Sequence, residues 1–389
     1  ISIRRDRFLT FRYNSLKLVQ CKVLVVGGGT GGCSMAAKFA DTFKDQVVII
    51  EPNEIHYYQP MFTLIGGGIR SFEHSKKLMK DILPKNAKWF QENVMSFEPP
   101  HNQVTMSNGD TVQYEIMIIA MGLQLYWEKV RLDKIFYNQG CTSKDCIYCR
   151  RVFSKLRDNV KVVYNTALPV IFGVKKYADA LWDVCKRRNI TVNVQTNLIK
   201  IDPATEEAVF QKLDGSNETF YSLLHVCPPM GPPDVLKKHP SLTNEVGFLS
   251  VDPKTLRHTK YSNIYGIGDC ISAPNSKTMA AIAAQGKVLY KNIMDDLAGK
   301  PMIMAYNGYS SCPLVTGYNK CILAEFDYNL QPLETFPVNQ GREYYFTFIL
   351  KAYVFPLLYW TLMIRGKWDG PEFFRKYSNV IKKKEVAKI

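Results

Sequence analysis

Lys22-Val23-Leu24-Val25-Val26-Gly27-Gly28-Gly29-Thr30-Gly31-Gly32, followed by Glu51, decides how the chain is read. Val23 to Val26 is a short run without a polar side chain, as a strand buried on both faces requires. Gly27, Gly29 and Gly32 fall at the G-x-G-x-x-G spacing: a tight turn out of the strand, a close backbone approach to a pyrophosphate, and a close helix–sheet contact. Ser34 to Phe43 reads as a helix whose N-terminus faces the phosphates. Val47 to Ile50 reads as the next strand, and a carboxylate at its end, Glu51, accepts from ribose hydroxyls and repels a 2′-phosphate. Strand, glycines, helix, strand and acid in that order predict a dinucleotide site in an α/β fold.

Downstream, Glu51 leads into an aromatic loop, His56-Tyr57-Tyr58-Gln59-Pro60, where Gln59 or Tyr57 is placed to touch a ring system. Lys88 to Val94 is predicted as a third strand. Gln103–Met106 and Thr111–Tyr114 flank Asn108-Gly109 as a hairpin. Ile116 to Ala120 is an apolar strand ending in Met121-Gly122, positioned to return the chain to the cofactor. Much later, Tyr265-Gly266-Ile267-Gly268-Asp269-Cys270 reads as a strand ending at Asp269, which would bond a ribityl chain. Lys277, Thr278, Met279 and Ala280 then open an alanine-rich helix aimed at the pyrimidine end of a flavin. The combination of the early glycine motif, Gly122 and the late Gly-Asp specifies FAD rather than NAD.

Between these lies a second α/β unit. Lys161–Asn165 and Ile190–Val194 are predicted strands around a helix, Tyr177–Arg188, with Ala178, Leu181, Trp182 and Cys185 turned inward. It has no second G-x-G-x-x-G, which argues against a nicotinamide donor. The domains predicted are a basic segment 1–20, a discontinuous FAD-binding domain 21–129 and 252–310, a second Rossmann-like domain 130–251, and a C-terminal region 311–389.

The formal charge of +15, from 50 Lys and Arg against 35 Asp and Glu, fits an anionic membrane surface or a small anionic substrate. No dense basic run with interleaved aromatics points to nucleic acid. Ten cysteines at irregular spacing do not form a secreted disulfide framework. Residues 1–20 are Arg-rich and acid-poor, similar to the remains of a mitochondrial transit peptide, and the start at Ile1 reads as a fragment or processed product. Cys312 is expected in a small-residue turn. The aromatic stretch Tyr344–Ile364, interrupted by Lys351 and Pro356, reads as a poor spanning helix; with the cations that follow, it suits a monotopic segment in the headgroup region.

Val25-Val26-Gly27-Gly28-Gly29-Thr30-Gly31-Gly32, Tyr58-Gln59-Pro60, Ile171-Phe172-Gly173-Val174-Lys175-Lys176-Tyr177, Tyr265–Cys270 and Ser311-Cys312-Pro313-Leu314-Val315-Thr316-Gly317-Tyr318-Asn319 together resemble the eukaryotic-type mitochondrial sulfide:quinone oxidoreductases. The resemblance runs from Lys22 to the C-terminus. It implies two Rossmann-like domains with a membrane-associated C-terminal region at the inner mitochondrial membrane, and bound FAD. It implies oxidation of hydrogen sulfide at a cysteine pair, transfer of the sulfane sulfur to glutathione or sulfite, and reduction of ubiquinone. It implies Cys312 as one redox cysteine and Thr30, Gly31, Glu51, Gln59, Val94, Asp269 and the start of the Lys277 helix as FAD contacts. Lys277 is either an electrostatic helper or a solvated helix-start cation.

The family's first redox cysteine run is absent, and the chain between Val130 and Lys161 is about 35–40 residues shorter than the resemblance implies. Cys141 is the best candidate for the missing partner; Cys146 and Cys149 form a nearby Cys-x-x-Cys. A shortened chain that binds FAD without turnover is one alternative, and an NADH:quinone oxidoreductase is another. Aromatic candidates for the quinone site lie in Phe346–Trp360; homodimerisation is left open.

Overall fold

The computed structural model describes residues 16–126, 161–202, 205, 207–219, 224 and 226–377; Cys141, Cys146 and Cys149 lie outside them. The glycine motif connects strand β1 (Leu18–Val26) to helix α1 (Thr30–Phe43), and the chain returns as β2 (Val47–Ile50) and β3 (Lys88–Phe90). These three strands are parallel, with Val23 opposite Val47 and Val48 opposite Lys88. A meander follows: β4 (Val94–Glu98), β5 (Gln103–Met106) and β6 (Thr111–Ile119). Strand β7 (Ile264–Gly266) completes a seven-stranded sheet of order β3-β2-β1-β6-β5-β4, with β7 on the C-terminal half of β6.

Three predicted boundaries move. Helix α1 starts at Thr30, not Ser34, because Gly29 has the extended backbone of an N-cap and Cys33 N–H already donates to its carbonyl, 2.9 Å. The segment Lys88–Val94 is two strands with a break between them, since β3 pairs parallel with β2 while β4 pairs antiparallel with β5. The two strands predicted at 111–114 and 116–120 are one. Strand β6 pairs β5 with its first residues and β7 with its last, and β1 runs along its other edge throughout. The core is built from Val23 to Val26, Val47 to Ile50 and Ile116 to Ile119 with Phe39 and Met35 of α1. Each such aliphatic side chain, fully buried, contributes about 1.5–3 kcal/mol.

The second unit is slighter among the described residues. Val162–Asn165 and Ile190–Asn193 pair in parallel around helix Lys175–Arg187. Thr196–Asp202, Glu207–Lys212 and Asn217–Thr219 form a separate antiparallel sheet. The helix buries Tyr177, Ala178 and Val184, whereas Trp182 is turned to solvent and 41% exposed, contrary to expectation. Tyr177, Leu181 and Val184 form one helical stripe, which packs in a cluster with Ile322, Ala324 and Phe326 that leaves Trp182 out.

The covering residues belong to a hairpin of β8 (Ser310–Gly317) and β9 (Lys320–Phe326). Cys312 therefore sits on a strand, opposite Ala324, and not in the turn predicted from its small neighbours. Pro313 does not break it, because a two-stranded ribbon leaves an edge where a missing N–H is harmless.

Helix α3, Tyr345–Met363, is continuous over 19 residues, contrary to the expected interruption, and is long and apolar enough to cross a membrane by length and composition. Its turns widen at Leu350–Val354 and Tyr359–Met363. Pro356 has no N–H to give the carbonyl of Ala352 one turn back. Arg70 supplies the missing donors, Nε at 3.0 Å and Nη2 at 2.8 Å, and its guanidinium lies 4.0 Å from the Tyr353 ring centre. Lys351, buried in the helix, donates to the Pro60 carbonyl at 2.7 Å. Tyr353, Leu357 and Leu362 face outward, as do Phe373, Phe374 and Tyr377 beyond the helix.

Candidate functional site

A cleft of about 330 Å³ opens where β1, β2, β6 and β7 end. Gly27 to Gly31, Glu51, Asn53, Tyr57, Gln59, Gly122, Gly268 and Asp269 are among its lining residues. Two glycines make it possible. Gly27 has φ +102°, and a Cβ there would stand 2.6 Å from the Ala120 carbonyl oxygen. A Cβ on Gly32 would stand 1.8 Å from the Gly27 carbonyl oxygen. Gly29 is different: nothing lies within 4 Å of where its Cβ would point. The loop backbone between Gly28 and Thr30 thus faces open space, beside the first amides of α1, which have no partner inside the helix.

The Glu51 carboxylate is fixed from two sides. Oε2 accepts from Gly28 N–H at 2.6 Å, and Oε1 accepts from Asn53 N–H and Nδ2 at 2.8 and 2.6 Å. Trp89 Nε1–H donates to the Glu51 carbonyl at 2.9 Å. His56 lies behind the loop. Its Nδ1 is 2.9 Å from the Gly28 carbonyl oxygen and its Nε2 2.5 Å from the Tyr359 hydroxyl, which also meets Thr30 Oγ1 at 2.9 Å. Burial pushes His56 down to about 4, against the opposing pull of the Gly28 carbonyl. The ring is therefore neutral at physiological pH: Nδ1–H donates to Gly28, and Nε2 accepts from Tyr359.

Helix α2 (Met279–Leu297) begins beside the same cleft, with Thr278 as its N-cap and the Thr278 hydroxyl accepting from Ala281 N–H at 3.2 Å. Lys277 is not the solvated cation that was one of its two readings. Its Nζ donates to the carbonyls of Ile271 and Ala273 at 2.7 and 3.2 Å. Burial lowers its pKa while Asp269 raises it. Asp269 is itself pushed up by burial and held back by Lys277. Val94 starts β4 inside the core of the sheet and is not among the residues lining the cleft.

Cys312 reaches this region through β8. Ser310 Oγ donates to the Ser276 carbonyl at 3.2 Å, tying the start of β8 to the residues that precede α2. Burial pushes the Cys312 thiol up to about 11, and the Lys351 ammonium pulls it the other way. Burial brings Lys351 down to about 8, opposed by Cys321 and Cys312. The proposed partner, Cys141, falls outside the described residues.

The cleft thus gathers Gly27, Gly29, Thr30, Gly31, Glu51, Gln59, Gly122 and Asp269 from four separate parts of the chain. Sequence reading missed His56, Asn53 and Lys351 as site residues, and it placed Tyr359 only in the aromatic stretch Phe346–Trp360 offered for the quinone site, not at this cleft. His56 and Asn53 had a weak signal, lying in the loop directly after Glu51. Nothing in the sequence tied Tyr359 or Lys351 to this cleft, because they come from an apolar helix about three hundred residues downstream of the residues they touch.

Comparison with known proteins agrees with this architecture. Residues 21–148 match the family described as Pyridine nucleotide-disulphide oxidoreductase. The mitochondrial sulfide:quinone oxidoreductase of Mus musculus is 40% identical over 400 residues, covering 91% of this chain and 89% of its own length. The Dictyostelium discoideum protein of the same name is 37% identical over 393 residues, covering 90% and 87%. In fold, the chain is similar to the sulfide:quinone oxidoreductase from Aquifex aeolicus, with a TM-score of 0.74 at 18% identity over 92% of this chain and 95% of that one. On these identities and this coverage, the chain belongs to the mitochondrial sulfide:quinone oxidoreductase family.

Proposed function

We propose that this protein binds FAD, oxidises hydrogen sulfide at a cysteine pair that includes Cys312, and delivers the two electrons to ubiquinone at the inner mitochondrial membrane. The observation that carries the reading is the placement of Cys312: on β8, tied through Ser310 to the approach of the cofactor helix, within the electrostatic reach of the buried Lys351.

The cleft fits FAD on its own geometry. The open side of Gly29 leaves room for a pyrophosphate against the first amides of α1, and Glu51 presents a carboxylate to a ribose. Asp269, at the end of β7, supplies an acceptor for the ribityl chain, and the N-terminus of α2 supplies amides for the ring. FAD, when bound, provides the two-electron acceptor that neither cysteine nor lysine provides.

The residues handle sulfur and charge. A thiol at about 11 is a poor nucleophile at neutral pH, since the thiolate is the reactive form. The Lys351 ammonium favours that thiolate and any anionic sulfur species beside it. Hydrosulfide attacks one sulfur of the Cys141–Cys312 disulfide; a new S–S bond forms, the old one breaks, and the electron pair leaves on the other cysteine as thiolate. Glutathione or sulfite then takes the sulfane sulfur by the same exchange, leaving both cysteines as thiolates; their re-closure to a disulfide releases two electrons, for which FAD would be the acceptor and ubiquinone the final one. Helix α3, with its outward Tyr353, Leu357 and Leu362, supports monotopic contact with the membrane that holds the quinone.

Anaerobic titration with sulfide, followed by flavin absorbance, tests the reading with Cys312→Ser as control. Bleaching in the parent, recovery with a short-chain quinone and loss in the control are expected. Bound flavin that sulfide does not bleach would overturn the catalytic reading and leave an impaired homologue. Bleaching by NADH instead would point to a nicotinamide donor.

A further inference from the structure

We propose that Tyr359 is a positioning residue that ties the dinucleotide loop to helix α3, so that seating of the cofactor and seating of the helix support each other. The proposal rests on the FAD reading above.

The Tyr359 side chain is fully buried, and its hydroxyl has two partners. It donates to His56 Nε2 at 2.5 Å and accepts from Thr30 Oγ1 at 2.9 Å. His56 passes the first contact on through Nδ1–H to the Gly28 carbonyl. One phenol therefore holds both residues that flank Gly29, the loop position left open toward the cleft. The ring is wedged between Tyr58, at 4.5 Å, and Trp360, at 5.0 Å between centroids, so the hydroxyl has little freedom to leave.

Further links join α1, which follows the loop, to the end of α3 and to the residues just beyond it. Ser34 Oγ donates to the Met363 carbonyl at 2.5 Å, and Lys38 pairs with Asp369 at 2.7 Å. The inner side of α3 is thus docked on the first turns of α1, while its outer side carries exposed apolar residues. A loop held in its binding shape spares the ligand the cost of ordering it. Because such coupling is reciprocal, a cofactor that stabilises the loop also holds the helix.

The test compares cofactor-free parent, Tyr359→Phe, Thr30→Val and the double variant, titrated with FAD by flavin fluorescence. Loss of the hydroxyl removes both of its hydrogen bonds and is expected to weaken FAD binding about tenfold or more. The double variant should be no weaker than Tyr359→Phe alone, since that variant already removes the contact that Thr30→Val cuts. A second readout is limited proteolysis within 345–363: FAD slows cleavage in the parent and, at saturation, slows it less in Tyr359→Phe. Equal FAD affinity, additive losses or equal protection of the helix would overturn the proposal. If Tyr359→Phe does not fold, as judged by circular dichroism, Thr30→Val cuts the same contact from the loop side and is read by the same protection assay. Failure of the parent to bind FAD would refute the cofactor reading itself, a result separable from the others.

Discussion

In the first α/β unit, Val23 to Val26 and Val47 to Ile50 are at most 1% exposed; in the second, the strand residues Val162 and Tyr164 are 41% and 45% exposed. The first sheet has seven strands, and its central strands carry no polar side chain over the buried stretch. The second has two parallel strands among the described residues, and its helix gains a core only by packing on the hairpin that carries Cys312. The difference divides the work. The glycine loop rests on a close-packed support with no room for adjustment, whereas Cys312, the proposed redox cysteine, stands on a seam between later elements. That seam is held by fewer apolar contacts and by charge: Glu343 meets Arg187 at 2.8 Å, Arg188 at 3.5 Å and Lys320 at 3.9 Å.

The sharpest way to break the first side of this comparison is Gly32→Ala. Its methyl would overlap the Gly27 carbonyl, and backbone cannot yield as a flexible side chain does. A loss of roughly 3 kcal/mol or more in urea unfolding is expected, together with loss of bound flavin on gel filtration. An unchanged midpoint would show that the loop is softer than its contacts imply.

Acid probes the same support. His56 is held at about 4 in the folded chain against an ordinary 6.5. Between those values the unfolded chain binds a proton that the folded chain refuses, so stability falls as pH drops from 6.5 toward 4 and this contribution levels off below it. The loss amounts to at most about 3 kcal/mol. Thermal melts of His56→Gln across that window should show a shallower slope than the parent; parallel slopes would remove His56 from the account.

On the cysteine side the expected effects are smaller and chemical. Lys351→Met removes the cation that favours the Cys312 thiolate. In protein first reduced with dithiothreitol, alkylation of Cys312 by iodoacetamide at pH 7, read by peptide mass spectrometry, should slow about tenfold, one pKa unit's worth. An unchanged rate would mean that the thiolate is stabilised elsewhere. The weakest perturbation is Glu343→Gln, which trims half-exposed ion pairs worth about 1 kcal/mol together. A small drop in melting temperature with flavin retention intact is expected. Flavin loss in this variant would erase the distinction between the two regions.

The legibility of the chain follows the same division. Strands β1 and β2, the glycine turn and Glu51 were readable because each requirement is local: a buried parallel strand must be apolar, and a φ of +102° at Gly27 favours glycine. The hairpin around Asn108-Gly109 was readable for the same reason. Reading failed where a neighbour distant in sequence changed the outcome. Trp182 looked inward until the hairpin packed on a stripe of its helix that leaves Trp182 out. Cys312 looked like part of a turn until β9 paired with its segment. Pro356 looked like a break until Arg70 answered the carbonyl it orphans.

The sequence by itself determined the dinucleotide-binding half, its strand–turn–helix order, its acid at the second strand, and the family resemblance carried by the segment around Cys312. The tertiary structure alone decided that the buried Lys351 acts electrostatically on that cysteine, that α3 runs unbroken, and that Tyr359 reaches the loop around Gly29. Local backbone geometry restricts residue type and so leaves its mark in the sequence. A contact between residues some three hundred positions apart restricts neither partner alone, and it becomes visible only when the chain has closed on itself.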